Sequence, residues 1–228
     1  MSDLQAFTIF KANSGMTVAI DPIASDVISG SGSLRINRGG TTGQRANLAR
    51  ASSPTGFTSG RARFRIKTLG VGSLNDVWGL TFQMSQADMT TVGTQTAYFM
   101  GIQYQANGSF GNLVINRLST GLANPTQLAL GAQFALVADQ RMTLEATWIL
   151  DLQNLGGIRL FLKRGVLADY SDLVVEPKNG GGTMDLVSTT TVLQTSVAEG
   201  PAVQFAFDTS PGDYLMKIDS VIPLIVGG

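Results

Sequence analysis

Four cations stand at alternate positions of one run: Arg61, Arg63, Arg65 and Lys67, separated by Ala62, Phe64 and Ile66. Residues two apart in an extended chain project to the same face, so this run reads as a strand with one basic side and one apolar side. Such a row has three uses. It can be a solvated face whose charges also guard a sheet edge against aggregation. It can dock on an acidic surface of a neighbouring subunit, because complementary charge steers and registers a contact. It can grip nucleic acid, but surfaces of that kind interleave aromatic rings with the cations for base stacking, and none shares this face within the run. The first two uses stay open, and Arg61, Arg63, Arg65 and Lys67 are the candidate partner-binding residues.

What the chain lacks is equally informative. It has no cysteine and no histidine. That removes disulfides, thiolate and imidazole metal sites, and nucleophiles activated by a histidine base. There are three glutamates, Glu145, Glu176 and Glu199. Retaining glycoside hydrolysis needs two carboxyls roughly 5–5.5 Å apart, and no closely spaced carboxylate motif supplies them. Glu145 falls on the polar side of its own segment and reads as solvated. Asp208 and Asp213 bracket the turn Ser210-Pro211-Gly212. Without the spacing of a calcium loop they read as turn stabilisers. The glycine pairs and triplets, Gly39-Gly40 and Gly180-Gly181-Gly182, fit neither dinucleotide nor nucleotide phosphate patterns. No catalytic residue, metal site or cofactor is expected. Trp78 and Trp148 could stack on sugar rings, but both sit within apolar faces and read as core. Tyr98 and Tyr104 share a parity with Met100 and Ile102 and read the same way.

Charge is balanced in total and divided along the chain. The 16 basic and 16 acidic residues cancel. Between Val27 and Asn75, however, lie eight cations and no acid, whereas from Asp76 onward 13 acids face seven cations. That division suits a polyanionic partner, or copies of the chain that attract one another.

The elements that must carry these residues are strands. Met142, Leu144, Ala146, Trp148 and Leu150 alternate with Arg141, Thr143, Glu145, Thr147 and the exception Ile149. After a turn at Gln153 to Gly157 the period resumes, with Ile158, Leu160 and Leu162 inward and Arg159 and Lys163 outward. A hairpin over 141–165 with a tight Gly156-Gly157 turn follows, its outward side wet. Asn107-Gly108 marks a second hairpin, between 98–104 and 113–118. Gln5 to Phe10 and Met16 to Ile20 suggest a third, around Asn13-Ser14-Gly15. Further strands are expected at 34–36, 77–84, 169–175 and 214–222, with an irregular or weakly stranded basic excursion at about 39–60. No stretch sustains an amphipathic helix, and none approaches the roughly 18 apolar residues of a membrane span. The opening MSDLQAFTIF lacks the pattern of a secretory signal.

About a dozen short strands with turns between them describe an all-β antiparallel sandwich or jelly roll, a single domain over 1–228. Ser31 to Ile36, Met142 to Lys163 and Tyr214 to Val221 resemble the early strand, central pair and closing strand of the concanavalin A-like lectin/glucanase sandwiches, a group that includes laminin-G-like modules. The closing strand of such modules runs back beside the first. That resemblance implies glycan binding or glycan hydrolysis, and the missing carboxylate pair argues against the second. Two functional expectations follow. One is a structural subunit of a large assembly, such as a bacteriophage virion protein of head or tail, made in the host cytoplasm and contacting its own copies and other virion proteins. The alternative is a carbohydrate-binding module for glycan or host-surface attachment. No membrane partner is expected, and nucleic acid is argued against.

Overall fold

The computed structural model describes residues 7–11, 17–22, 33–37, 45–50, 59–68, 77–82, 84–85, 96–105, 109–119, 125–137, 139–189, 198–199, 202–206 and 213–224. Every regular element among them is a strand. The first six are β1 (Phe7–Lys11), β2 (Thr17–Asp21), β3 (Ser33–Asn37), β4 (Arg45–Arg50), β5 (Gly60–Thr68) and β6 (Val77–Phe82). Then come β7 (Met84–Ser85), β8 (Ala97–Tyr104), β9 (Phe110–Leu118), β10 (Thr126–Leu130), β11 (Phe134–Ala135) and β12 (Arg141–Asp151). The last six are β13 (Gly157–Gly165), β14 (Val174–Val175), β15 (Asp185–Ser188), β16 (Ala198–Glu199), β17 (Ala202–Ala206) and β18 (Asp213–Pro223). Among the described residues no helix is long and apolar enough to cross a membrane.

Two antiparallel sheets of eight strands pack face to face, as the alternation demands. The first runs β1-β4-β17-β6-β8-β9-β10, with β11 also on β9. The second runs β14-β13-β12-β5-β18-β3-β2, with β15 also on β13. A two-stranded ribbon, β16-β7, stands apart. The apolar parity of each strand meets the other sheet. From the second sheet come Ala62, Phe64, Ile66, Leu144, Ala146, Trp148, Ile158, Leu160 and Leu162; from the first come Leu80, Phe82, Tyr98, Met100, Ile102, Tyr104, Leu113 and Ile115. Trp148 and Phe82 join the layers, their ring centroids 4.2 Å apart. The core roles read for Trp148, Tyr98 and Tyr104 therefore hold, all three being buried. Trp78 lies in β6 opposite Ile102 of β8; its side chain is outside the described set.

The central hairpin forms with the register the alternation implies: Glu145 opposite Lys163, Trp148 opposite Leu160 and Asp151 opposite Gly157. Its turn is wider than the tight glycine pair. Residues 152–156 make the loop, the Asp151 carboxylate accepts from the Asn154 backbone N–H at 2.9 Å, and Gly156 takes the left-handed φ of 64°. Gly157 belongs to the strand instead. A Cβ there would lie 2.1 Å from the Ser188 carbonyl oxygen, so only glycine lets β15 approach. The second hairpin pairs Tyr104 with Gly111. That register is symmetric about Asn107-Gly108, which themselves lie outside the described residues.

Two expectations fail. β1 and β2 do not form a hairpin: β1 pairs with β4 in the first sheet and β2 with β3 in the second. β1 finds its partner beyond two intervening strands and β2 finds its own in the strand that follows it, and the turn expected at Asn13-Ser14-Gly15 lies outside the described residues. The basic excursion, read as irregular or weakly stranded, holds one strand, β4, paired on both sides. The stretch 169–175 is stranded only at β14; ahead of it the chain turns back on itself, with Tyr170 at a φ of 62°. The closing strand β18 runs beside β3, the early strand of the resemblance, with β5 on its other side.

Candidate ligand-binding face

Each sheet has an outer face, and the two differ in access. On the first sheet Thr81, Phe99, Val114 and Asn116 point away from the core yet are at most 3 % exposed. On the second, the outer side chains of Arg61, Arg63 and Lys163 keep 35, 34 and 31 % of their surface in water. Among the described residues, the second sheet therefore presents the polar surface a ligand can reach.

That surface is organised by register. Arg63 of β5, Glu145 of β12 and Lys163 of β13 stand in one row across three strands. Arg61, Thr147 and Phe161 form the row on one side; Arg65, Thr143 and Gly165 form the row on the other. Glu145 accepts from Arg63 Nε at 2.7 Å, lies 3.1 Å from Lys163 Nζ, and has Arg61 Nε at 3.8 Å. Its own side chain is 3 % exposed. Glu145 is thus no solvated residue, contrary to its polar parity. The wet side expected of β12 is also largely dry, with Thr143, Glu145 and Thr147 all buried. β12 is central in its sheet, and the long stems from β5 and β13 lie over it while their charged ends reach water.

The other cations of β5 are matched too. Arg65 Nε lies 2.6 Å from Asp219 of β18, and Lys67 Nζ 3.1 Å from Asp139. Arg61, Arg63, Arg65 and Lys67 therefore share one face, as the spacing predicts, and every one meets an acid far along the chain. The division of charge along the sequence becomes pairing in space.

Aromatic rings do interleave these cations, although none lies in β5 itself. Phe161 of β13 sits between Arg159 and Lys163, whose charged groups are 5.3 and 5.7 Å from its centroid. Tyr170 reaches over from the loop after β13, 5.2 Å from the Arg63 guanidinium and 5.6 Å from that of Arg65, within cation–π range. Its hydroxyl donates to Asp219. The loop is pinned by Asp172, whose carboxylate accepts from the backbone N–H groups of Val166 and Leu167 at 2.7 and 3.1 Å. The outward parity of Phe161 was legible; Tyr170 could be found only from the fold.

The electrostatics say what this face can do. Burial alone raises the pKa of Glu145, but hydrogen bonds from Arg63 and Lys163 outweigh it and hold the group below the usual carboxylate range. It stays ionised, which suits a counter-ion and not a general acid. Tyr170 is pushed well above the ordinary phenol range by burial and by the Asp219 carboxylate, so it keeps its proton at neutral pH. Arg159 grips Asp185 with both arms of its fork, at 2.9 and 2.6 Å. Arg164 takes the inward parity, pairs with buried Glu176 at 2.8 Å and lies over the Phe134 ring. That pair closes one edge of the sandwich. Among the described residues no three acidic side chains gather as a metal site would require. Asp208 is outside them.

No family model matches the chain, and no curated protein does. Solved structures resemble it in fold. The cellulose-induced protein Cip1 is 17% identical, with a TM-score of 0.55 over 100% of this chain and 95% of its own. The lumenal domain of VIP36, in its calcium- and mannose-bound form, is 11% identical, with a TM-score of 0.55 over 98% of this chain and 85% of its own. The endo-β-1,4-glucuronan lyase of Trichoderma reesei is 10% identical, with a TM-score of 0.53 over 95% and 90%. The chain therefore has the concanavalin A-like lectin/glucanase fold, as its strand pattern suggests.

Proposed function

We propose that the chain is a carbohydrate-binding module that takes its ligand on the outer face of the second sheet. The observation that carries this reading is the row-ordered set of partly exposed cations around Glu145, flanked by the rings of Phe161 and Tyr170. Sugars are held by planar arrays of hydrogen-bond donors together with aromatic faces, and this surface offers both. The fold supports the reading as well, since VIP36 has it in a mannose-bound form. Binding without turnover fits the geometry: the Glu145 carboxylate is already engaged by Arg63 and Lys163. A glycan array probed with the purified chain tests the reading, alongside incubation with β-glucan and polyuronate. Retention on specific glycans with no reducing ends and no unsaturated products is expected. Turnover abolished by Glu145→Gln or Tyr170→Phe contradicts it.

A second reading, a subunit of a larger assembly built with copies of itself, is favoured by a separate observation. Phe110, Val137, Val166, Leu167 and Val174 are large apolar residues left exposed towards one end of the sandwich. Such side chains are commonly covered by a neighbour. A virion is one setting for that reading. A native mass above that of the monomer supports it.

A further inference from the structure

We infer that this face is selective for an acidic polysaccharide, a chain of uronate sugars, and that Glu145 is its built-in counter-ion; this rests on the glycan reading above. Three cations, Arg61, Arg63 and Lys163, surround one carboxylate, which leaves two positive charges in the cluster. The geometry puts that excess outward. The three cationic side chains are about a third exposed, while Glu145 is 3 % exposed, so solvent reaches the cations of this cluster far more than its carboxylate. Both arginines approach Glu145 through Nε. A guanidinium carries four N–H donors besides Nε, so each arginine can hold Glu145 and still donate to an incoming anion.

The kind of anion is marked by what the face already holds. Arg63, Arg65, Lys67 and Lys163 each meet a carboxylate, and the Arg159–Asp185 fork shows the two-armed geometry that a uronate would meet. A uronate chain carries a carboxylate on each ring and an apolar face on the same ring. The rings of Phe161 and Tyr170 lie under these same cations, so charged and apolar parts of one sugar unit meet neighbouring groups. Nucleic acid fits less well. The chain is neutral, with a pI of about 6.2, whereas a nucleic-acid-binding domain is typically basic enough for a pI above about 9. A ligand of lower charge density can use this one face without meeting the acidic remainder.

Calorimetric titration of the full chain with oligogalacturonate, a neutral β-glucan oligosaccharide and a single-stranded oligonucleotide tests the inference. Oligogalacturonate should bind best, and its binding should weaken as sodium chloride rises from about 50 to about 500 mM. Arg63→Gln and Lys163→Gln, with folding checked by circular dichroism, should each lose about tenfold in affinity. Glu145→Gln, if it folds, should gain affinity for the uronate; if it does not, the two cation variants decide. Equal binding of the neutral glucan, unmoved by Arg63→Gln, would overturn the charge selectivity and leave the glycan reading standing. Tighter binding of the oligonucleotide would overturn the inference in favour of a nucleic-acid face. Absence of any glycan binding would remove both readings.

Discussion

Glu145 shows how one side chain can fix a surface. It stands between Arg63 and Lys163 in register, and it is the carboxylate on which three cations converge. Because the fold lowers its pKa below that of the unfolded chain, its contribution to stability is fully present above the unfolded value of about 4.5 and is lost as pH falls through the lower folded value. The wild-type chain should therefore lose stability on acidification below about pH 4.5, and Glu145→Gln should flatten that part of the profile. At neutral pH the same variant should cost roughly 1–3 kcal/mol, since it leaves the cations facing one another while water still screens their ends. Denaturant midpoints across a pH series measure both effects. At the same scale, Trp148→Ala removes a buried ring packed on Phe82 and should cost roughly 3–5 kcal/mol. Near-wild-type melting with lost sugar binding would mean that Trp148 acts as a platform instead.

At the scale of elements, the alternation of β5, β12, β13 and β18 was legible because the strand period is local. It depends only on which residues are apolar, and the sandwich follows from it. Pairing was not legible. β1 and β2 look like a hairpin by nearness in sequence, yet their partners are β4 and β3, and no local signal distinguishes those outcomes. The same gap hid the site. Arg63 meets Glu145 across 82 positions of sequence, so Glu145 looked solvated when read within its own strand. The basic row was found from spacing alone; the carboxylates that neutralise part of it were not. This changes what charge reversal should do. Arg63→Glu with Arg65→Glu, read as a surface change, would cost within about 0.5 kcal/mol. In the folded sheet it sets a glutamate opposite Glu145 and breaks the contact to Asp219. Stability should fall by roughly 1–3 kcal/mol, measured by urea unfolding. An unchanged midpoint would show that the ladder across β5, β12 and β13 contributes nothing to the fold.

For the whole molecule, the two sheets share a core and divide the remaining work. Among the described residues the first sheet keeps Thr81, Phe99, Val114 and Asn116 of its outer face buried, whereas the second sends its cations into water. If the account is right, a glycan must engage the second sheet, and the site should be visible without any substitution. Hydrogen exchange measured with and without the tightest-binding glycan maps it directly. Added protection should concentrate in 60–68, 141–151 and 157–173, which are β5, β12, β13 and the loop carrying Tyr170. Protection confined to 97–104 and 110–118, the strands that carry Phe99 and Asn116, would place the ligand on the first sheet and contradict the account.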